Sequence, residues 1–294
     1  MKKDIFQDVT NSIIDLLEKV NLKDYKSPFA CLTSQQLPRN PMTEKPYNGI
    51  NTLILWIEQQ NRSFSSNEWG TFQQWKEKGI KVKKGEQSSR IVFYKLVEKK
   101  DAGDDDKKYY NCLKSYSVFN ADQVEGYESS TGMEGVDFEK VEHIDEIESF
   151  ISSTGAVVKE GQNKACFNLV TDEISMPSKD IFYDNGQSAT ENYYAVLLHE
   201  LTHWTGGSKR LDRDQTGSTK TETYAFEELI AELGSAFLCG QFNIKQKGRD
   251  DHAMYIKSWL QALRNDKKFI FKAASQAQKA VDYLNQYQNK QIAA

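Results

Sequence analysis

Apolar and polar positions change period several times along the chain, and each change marks a new element. Ile5, Val9, Ile13, Ile14, Leu17 and Val20 recur near helical spacing among polar residues, which predicts an amphipathic first helix. The turn-rich stretch SPFACLTSQQLPRNPMTEKPYNGIN follows, then a second helix from about Asn51 through TLILWIEQQ. A third, around residues 71–78, is closed by Gly79. The stretches IKVKKGE, SRIVFYKLVEKK and KYYNCLKSYSVFN read as strands. The last two form the arms of a long hairpin with the acidic tip DAGDDD.

Between Gly126 and Val136, glycines and serines interrupt all periodicity, which places a domain boundary there. The expected division is residues 1–128 and 139–294. Beyond the boundary come a helix in HIDEIESFISSTG, a strand in AVVKEG, and a strand pair within residues 164–177. Ser188 and Glu191 have capping-box spacing ahead of the apolar run YYAVLLHEL, so a helix starts there and Gly206-Gly207 stops it. Another runs from about Thr221 through YAFEELIAELGSAFLCG, and helices fill the remainder. The fold class is α+β, with two domains.

Composition narrows the function classes. With 294 residues, 38% hydrophobic and 27% charged, the chain is long enough for two packed cores. The net charge of −4 draws it neither to nucleic acid nor to anionic lipid as a whole, so such a surface must be local. The N-terminus has no apolar signal core, and no stretch approaches the roughly 20 apolar residues of a membrane span, so no membrane partner is expected. Cys31, Cys112, Cys166 and Cys239 are scattered without a CxxC pair and read as reduced cysteines of a cytoplasmic protein.

Two of the four histidines stand in LLHELTHWTGG, four residues apart. On a helix His199 and His203 share one face and can aim ring nitrogens at one metal ion. Glu200 lies about 100° round the helix, where its carboxylate can take a proton from a water that the metal acidifies. A metzincin would need a third histidine where Lys209 stands, so that arrangement is rejected. A glutamate from a following helix serves instead, and EELIAE offers three. Glu228 is the expected ligand and Glu232, one turn later, the acid that orients a ligating histidine. Glu227 and Glu232 stay open as alternative ligands. Zinc is the expected ion, with manganese or another divalent metal as alternatives. Tyr183, Tyr224, Arg210 and Arg213 are the candidates for stabilising an oxyanion, and ACFNLVTDEISMP for an edge strand that pairs with a peptide.

The first half carries a different chemistry. From Trp69 to Lys100, eight lysines and one arginine face three glutamates, a surplus of six positive charges. Aromatic residues are interleaved: Trp69, Phe72, Trp75, Phe93 and Tyr94. Lysines neutralise phosphates and aromatic faces stack bases without reading sequence, a combination suited to single-stranded nucleic acid. The candidate contacts are Trp69, Trp75, Lys76, Lys81, Lys83, Lys84, Arg90 and Tyr94.

With both halves read, the chain resembles the ArdC-type antirestriction proteins of mobile bacterial elements. In the first half the resemblance rests on NPMTEKPYNGINTLILW, NEWGTFQQWKEKGIKVKKGEQSSRIVFYK and YSVFNADQVEG. In the second it rests on DEISMP, YYAVLLHELTHWTGGSKRLDR and YAFEELIAELGSAFL. These cover most of residues 40–240 in order, whereas DAGDDD and the last 50 or so residues match nothing. The resemblance implies an N-terminal domain that binds single-stranded DNA and a C-terminal zincin-like metallopeptidase domain similar to the SPRTN-type proteases. It also implies protection of incoming DNA from restriction, with a DNA-bound protein as a further candidate partner. His199, His203 and an acid of EELIAE carry over as metal ligands, and Glu200 as the base.

Overall fold

A computed structural model describes residues 4–18, 36–98, 109–129, 141–184, 187–216, 221–244 and 253–292. It divides into two units, Pro38–Met133 and, separately, Glu134–Ala294 together with Met1–Leu37.

The unit Pro38–Met133 is built on a three-stranded antiparallel sheet, order β1-β4-β3, of Trp69–Thr71 (β1), Ser89–Glu98 (β3) and Tyr109–Asn120 (β4). A small pair, Lys81–Val82 (β2) with Val124–Glu125 (β5), stands beside it. The register places Trp69 opposite Asn120 and Thr71 opposite Val118, so Trp69 and Val118 share one face while Gly70 and Phe119 share the other. Each face has its own core. Leu55, Trp69 and Val118 pack with Tyr47, Phe64 and Ile91; Trp75, Ala121 and Val124 pack with Met42, Ile80, Val82, Phe119 and Tyr127. Leu55 comes from the helix Ile50–Asn61 (α2) and Trp75 from Phe72–Glu77 (α3), whose capping box joins Thr71 and Gln74.

One buried acid locks this unit. Glu68, 1% exposed, accepts from Arg39 Nη2 at 2.7 Å and from the hydroxyls of Tyr127 and Ser129 at 3.0 Å. These partners come from two separate segments, one near each end of the unit, so one carboxylate ties both ends to β1.

The second unit joins helices to a mixed sheet of order β6-β8-β7: Val157–Lys159 (β6), Cys166–Asn168 (β7) and Glu173–Ser175 (β8). β6 runs parallel to β8 and β7 antiparallel to it, so β7 is an edge strand among the described residues. The helices are Asp145–Thr154 (α4), Ala189–Thr205 (α5), Glu222–Gln241 (α6), Ala253–Asn265 (α7) and Phe269–Ile292 (α8). α5 and α6 pack directly on each other. A Cβ on Gly234 of α6 would sit 2.9 Å from Thr202 Oγ1, so glycine permits the close approach.

The first helix, Ile5–Glu18 (α1), departs from the expected division at residue 128. It belongs with the C-terminal unit, where it packs on α7. Val9, Ile13 and Leu17 are buried, Thr10 Oγ1 donates to the Lys267 carbonyl at 2.8 Å, and Phe6 packs edge-on to Phe271 at 4.7 Å. Amphipathic spacing predicts the helix but not which core its stripe joins. Among the described residues no helix is long and apolar enough to cross a membrane.

Candidate metal centre and nucleic-acid surface

α5 begins at the expected capping box: Ser188 Oγ accepts from Glu191 N at 3.1 Å, and the Glu191 carboxylate accepts from Ser188 N at 3.2 Å. At its other end Gly206 has a φ of −79°, an ordinary helical value. The glycines there serve space. A Cβ on Gly206 would sit 2.9 Å from Arg213 Nη2, and one on Gly207 would run into the Arg210 guanidinium. Both arginines thus fold back over the end of the helix that carries the histidines.

His199 and His203 are buried on α5, and Glu228 is buried on α6 facing them. The two Nε2 atoms lie 3.1 Å apart. Glu228 Oε2 is 3.6 Å from His199 Nε2, and its Oε1 is 3.6 Å from His203 Nε2. Tetrahedral ligands at about 2.0–2.1 Å from zinc stand about 3.3–3.4 Å apart, and the observed separations bracket that value. The three residues form the one group among the described residues whose donor atoms can hold a metal ion, all within 4.8 Å of one another. Two imidazoles and a carboxylate suit zinc or manganese.

Burial and the neighbouring acids set the electrostatics around the histidines. Burial alone would lower the His203 pKa, but Glu227 and Glu228 outweigh it and push it up to about 10. Burial would likewise raise Glu228, yet the two histidines hold it far below the carboxylate range.

Glu227, adjacent to Glu228, is engaged on the other side of the His203 ring. Its carboxylate accepts from Arg213 Nε at 2.9 Å, Arg213 Nη2 at 2.8 Å and Gln215 Nε2 at 2.8 Å, and meets His203 Nδ1 at 3.1 Å. Despite burial, Arg213 and His203 lower its pKa to about 2. Bound on the far side of the ring, Glu227 directs the His203 Nε2 lone pair toward the centre. The acid that meets His203 Nδ1 thus precedes Glu228 by one residue. Glu232 is buried on α6, outside the three-residue group.

Glu200 is 3% exposed and accepts from the Phe167 backbone N–H of β7 at 2.9 Å. Among the four oxyanion candidates, Arg213 is taken by Glu227, Thr205 and the Thr202 carbonyl, and Arg210 by Asp172 and the Trp204 carbonyl. Tyr183 is 70% exposed on the loop before α5. Tyr224 stands one turn before Glu228 on α6: burial, then the neighbouring Glu228 carboxylate and, after it, Tyr255 and Glu200, raise its phenol pKa.

In the basic unit, Trp69 and Trp75 are fully buried, one in each core, and Trp75 Nε1 donates to the Phe119 carbonyl at 3.1 Å. They cannot stack on bases, which overturns their expected role; between two sheet-covered cores a tryptophan contributes more as apolar volume. Lys76, Lys81, Lys83, Lys84 and Arg90 are exposed, and Lys83 Nζ also donates to the Asp122 carbonyl at 2.8 Å. The Tyr94 side chain lies outside the described residues. Among the described residues of this unit the exposed aromatics are Phe72, Phe93 and Tyr116. Tyr116 escaped composition because it lies outside the lysine-rich run; its register opposite β3 was the available signal.

Comparison with known proteins agrees in both halves. Residues 3–119 match the N-terminal domain of the anti-restriction factor ArdC, and residues 145–276 match a zincin-like metallopeptidase family. A Sinorhizobium fredii protein, y4eC, is 36% identical, covering 97% of this chain and 93% of its own. The DNA primase TraC of Escherichia coli is 32% identical over 99% of this chain, which spans only 28% of the primase. The crystal structure of metal-free ArdC from plasmid R388 superposes with a TM-score of 0.81 at 36% identity, covering 98% of this chain and 99% of that one. Its Mn(II)-bound structure gives 0.79 at the same identity, covering 97% and 98%. The chain belongs to the ArdC family of antirestriction proteins, with an ArdC N-terminal domain and a zincin-like domain.

Proposed function

We propose that this chain is an antirestriction factor that binds single-stranded DNA through its basic unit and holds a divalent metal at His199, His203 and Glu228 for hydrolysis of DNA-associated protein. The observation that carries the metal half is the convergence of two Nε2 atoms and one carboxylate of buried side chains at 3.1–3.6 Å. The Mn(II)-bound R388 relative supports a divalent ion, zinc or manganese. The DNA half is supported by the positive surplus between Trp69 and Lys100 and by exposed Lys76, Lys81, Lys83, Lys84 and Arg90.

When bound, the ion supplies Lewis acidity, lowering the pKa of water toward about 7 and polarising a carbonyl. Glu227 orients His203, and Arg213 holds Glu227 in place. Glu200 removes the proton of the attacking water and returns it to the leaving amine. Its bond to Phe167 N–H fixes the carboxylate beside the β7 edge, where an extended peptide can lie. Tyr224 offers a hydroxyl to the oxyanion.

Two assays test the reading. A labelled single strand followed by fluorescence anisotropy should bind with an affinity that falls steeply with salt; no binding at low salt removes the DNA half. Digestion of a protein substrate in the presence of single-stranded DNA and metal should fail in Glu200→Gln, which keeps the metal. Equal cleavage by Glu200→Gln removes the peptidase half.

A further inference from the structure

We infer that the hairpin β3–β4 presents a two-ring platform, Phe93 and Tyr116 with Lys114, on which the bases of a single DNA strand stack. The inference rests on the proposed DNA reading and names its contact surface, in place of the buried tryptophans. In the register, Phe93 stands opposite Lys114 and Ile91 opposite Tyr116. Opposed residues and those two apart share one sheet face, so all four lie together, with Phe93 and Tyr116 in diagonal positions whose backbones stand about 7–8 Å apart. Ile91 packs against the core of Leu55, Trp69 and Val118 and anchors the inner end of this face. Beyond it Phe93 is 53% and Tyr116 46% exposed, with Lys114 also exposed.

The platform is held rigid. Asn51 of α2 bonds both backbone groups of Val92 on the outer edge of β3, accepting from its N–H and donating to its carbonyl, each at 2.8 Å. The residue before Phe93 is thereby fixed without using the sheet face. Rings on a fixed sheet face can stack successive bases with little ordering cost, and stacking is indifferent to sequence. Charge selects the occupant: no acid stands among these four face positions, Lys114 lies beside the rings, and the same unit carries the positive surplus of Trp69 to Lys100. A duplex buries its base faces and offers the rings nothing, so single-stranded DNA is the partner that uses both features.

The test is fluorescence anisotropy of a labelled oligothymidylate with the full chain. Phe93→Ala and Tyr116→Ala should each weaken binding about fivefold to a hundredfold, with the salt slope unchanged because no phosphate contact is lost. Phe93→Trp should keep the wild-type affinity. Lys114→Gln should weaken binding less and make the slope shallower by about 0.7. Circular dichroism and melting curves check that the variants fold. Wild-type affinity in Phe93→Ala and Tyr116→Ala, while the parent binds, overturns the platform and leaves the DNA reading intact. No binding by the parent at low salt overturns both. Variants that alter only self-association in light scattering mark the face as a protein contact and also overturn it.

Discussion

Two buried glutamates, Glu68 in one unit and Glu228 in the other, look alike by burial and differ in what surrounds them. Glu68 sits among donors: a guanidinium and two hydroxyls, contributed by separate segments. Glu228 faces two imidazole nitrogens that also face each other. Donors around a carboxylate close a network and make it structural. Nitrogens and oxygens that converge as lone-pair acceptors leave a place for a cation. Glu227, one residue from Glu228, is of the first kind, held by Arg213 and Gln215. Adjacent acids on one helix therefore divide the work, one bracing a histidine and one facing the centre.

The largest effect that can break this contrast is chemical. Glu200→Gln should lower peptide hydrolysis about 10²- to 10⁴-fold while metal content by elemental analysis stays at the parent value. Next comes the brace: Glu227→Gln should weaken metal affinity about 10- to 100-fold in a calorimetric titration. A smaller loss would make Glu227 a packing residue only. Glu68→Ala should destabilise the N-terminal unit by about 1–3 kcal/mol, read by urea unfolding, and leave metal affinity unchanged.

The smallest effect is the pH dependence of the same bond network. Burial raises the Glu68 carboxyl, but Arg39, Ser129 and Tyr127 outweigh it and hold its pKa below the ordinary value of 4.5. A carboxyl lowered on folding stabilises fully above its unfolded value and loses that contribution as pH falls through the folded one. Urea unfolding below pH about 4.5 should therefore show a steeper acid decline in the parent than in Glu68→Gln. Parallel declines would show that Glu68 does not titrate as described.

Local features were legible in the sequence and distant pairings were not. His199 and His203 are one turn apart, so spacing alone placed them on one face. The capping box at Ser188 and the β3–β4 hairpin were equally local. Choosing among Glu227, Glu228 and Glu232 required knowing which side of α6 faces α5 and where Arg213 returns, both set by packing. Trp69 and Trp75 stood in a basic run, yet the sheet register turned one into each core. The same register placed Tyr116 near Phe93 across two strands, a proximity that no window along one strand contains. The stripe of α1 predicted a helix correctly, but the surface it covers lies at the other end of the chain.

The central claim is that Glu228, rather than its neighbours, completes the histidine pair. Calorimetric titration of Zn(II) and of Mn(II) into metal-stripped parent, Glu228→Gln and Glu232→Gln tests it most directly. The account predicts one ion per chain in the parent and in Glu232→Gln, and affinity lowered more than about a hundredfold in Glu228→Gln. Stoichiometric binding retained by Glu228→Gln and lost by Glu232→Gln would contradict it.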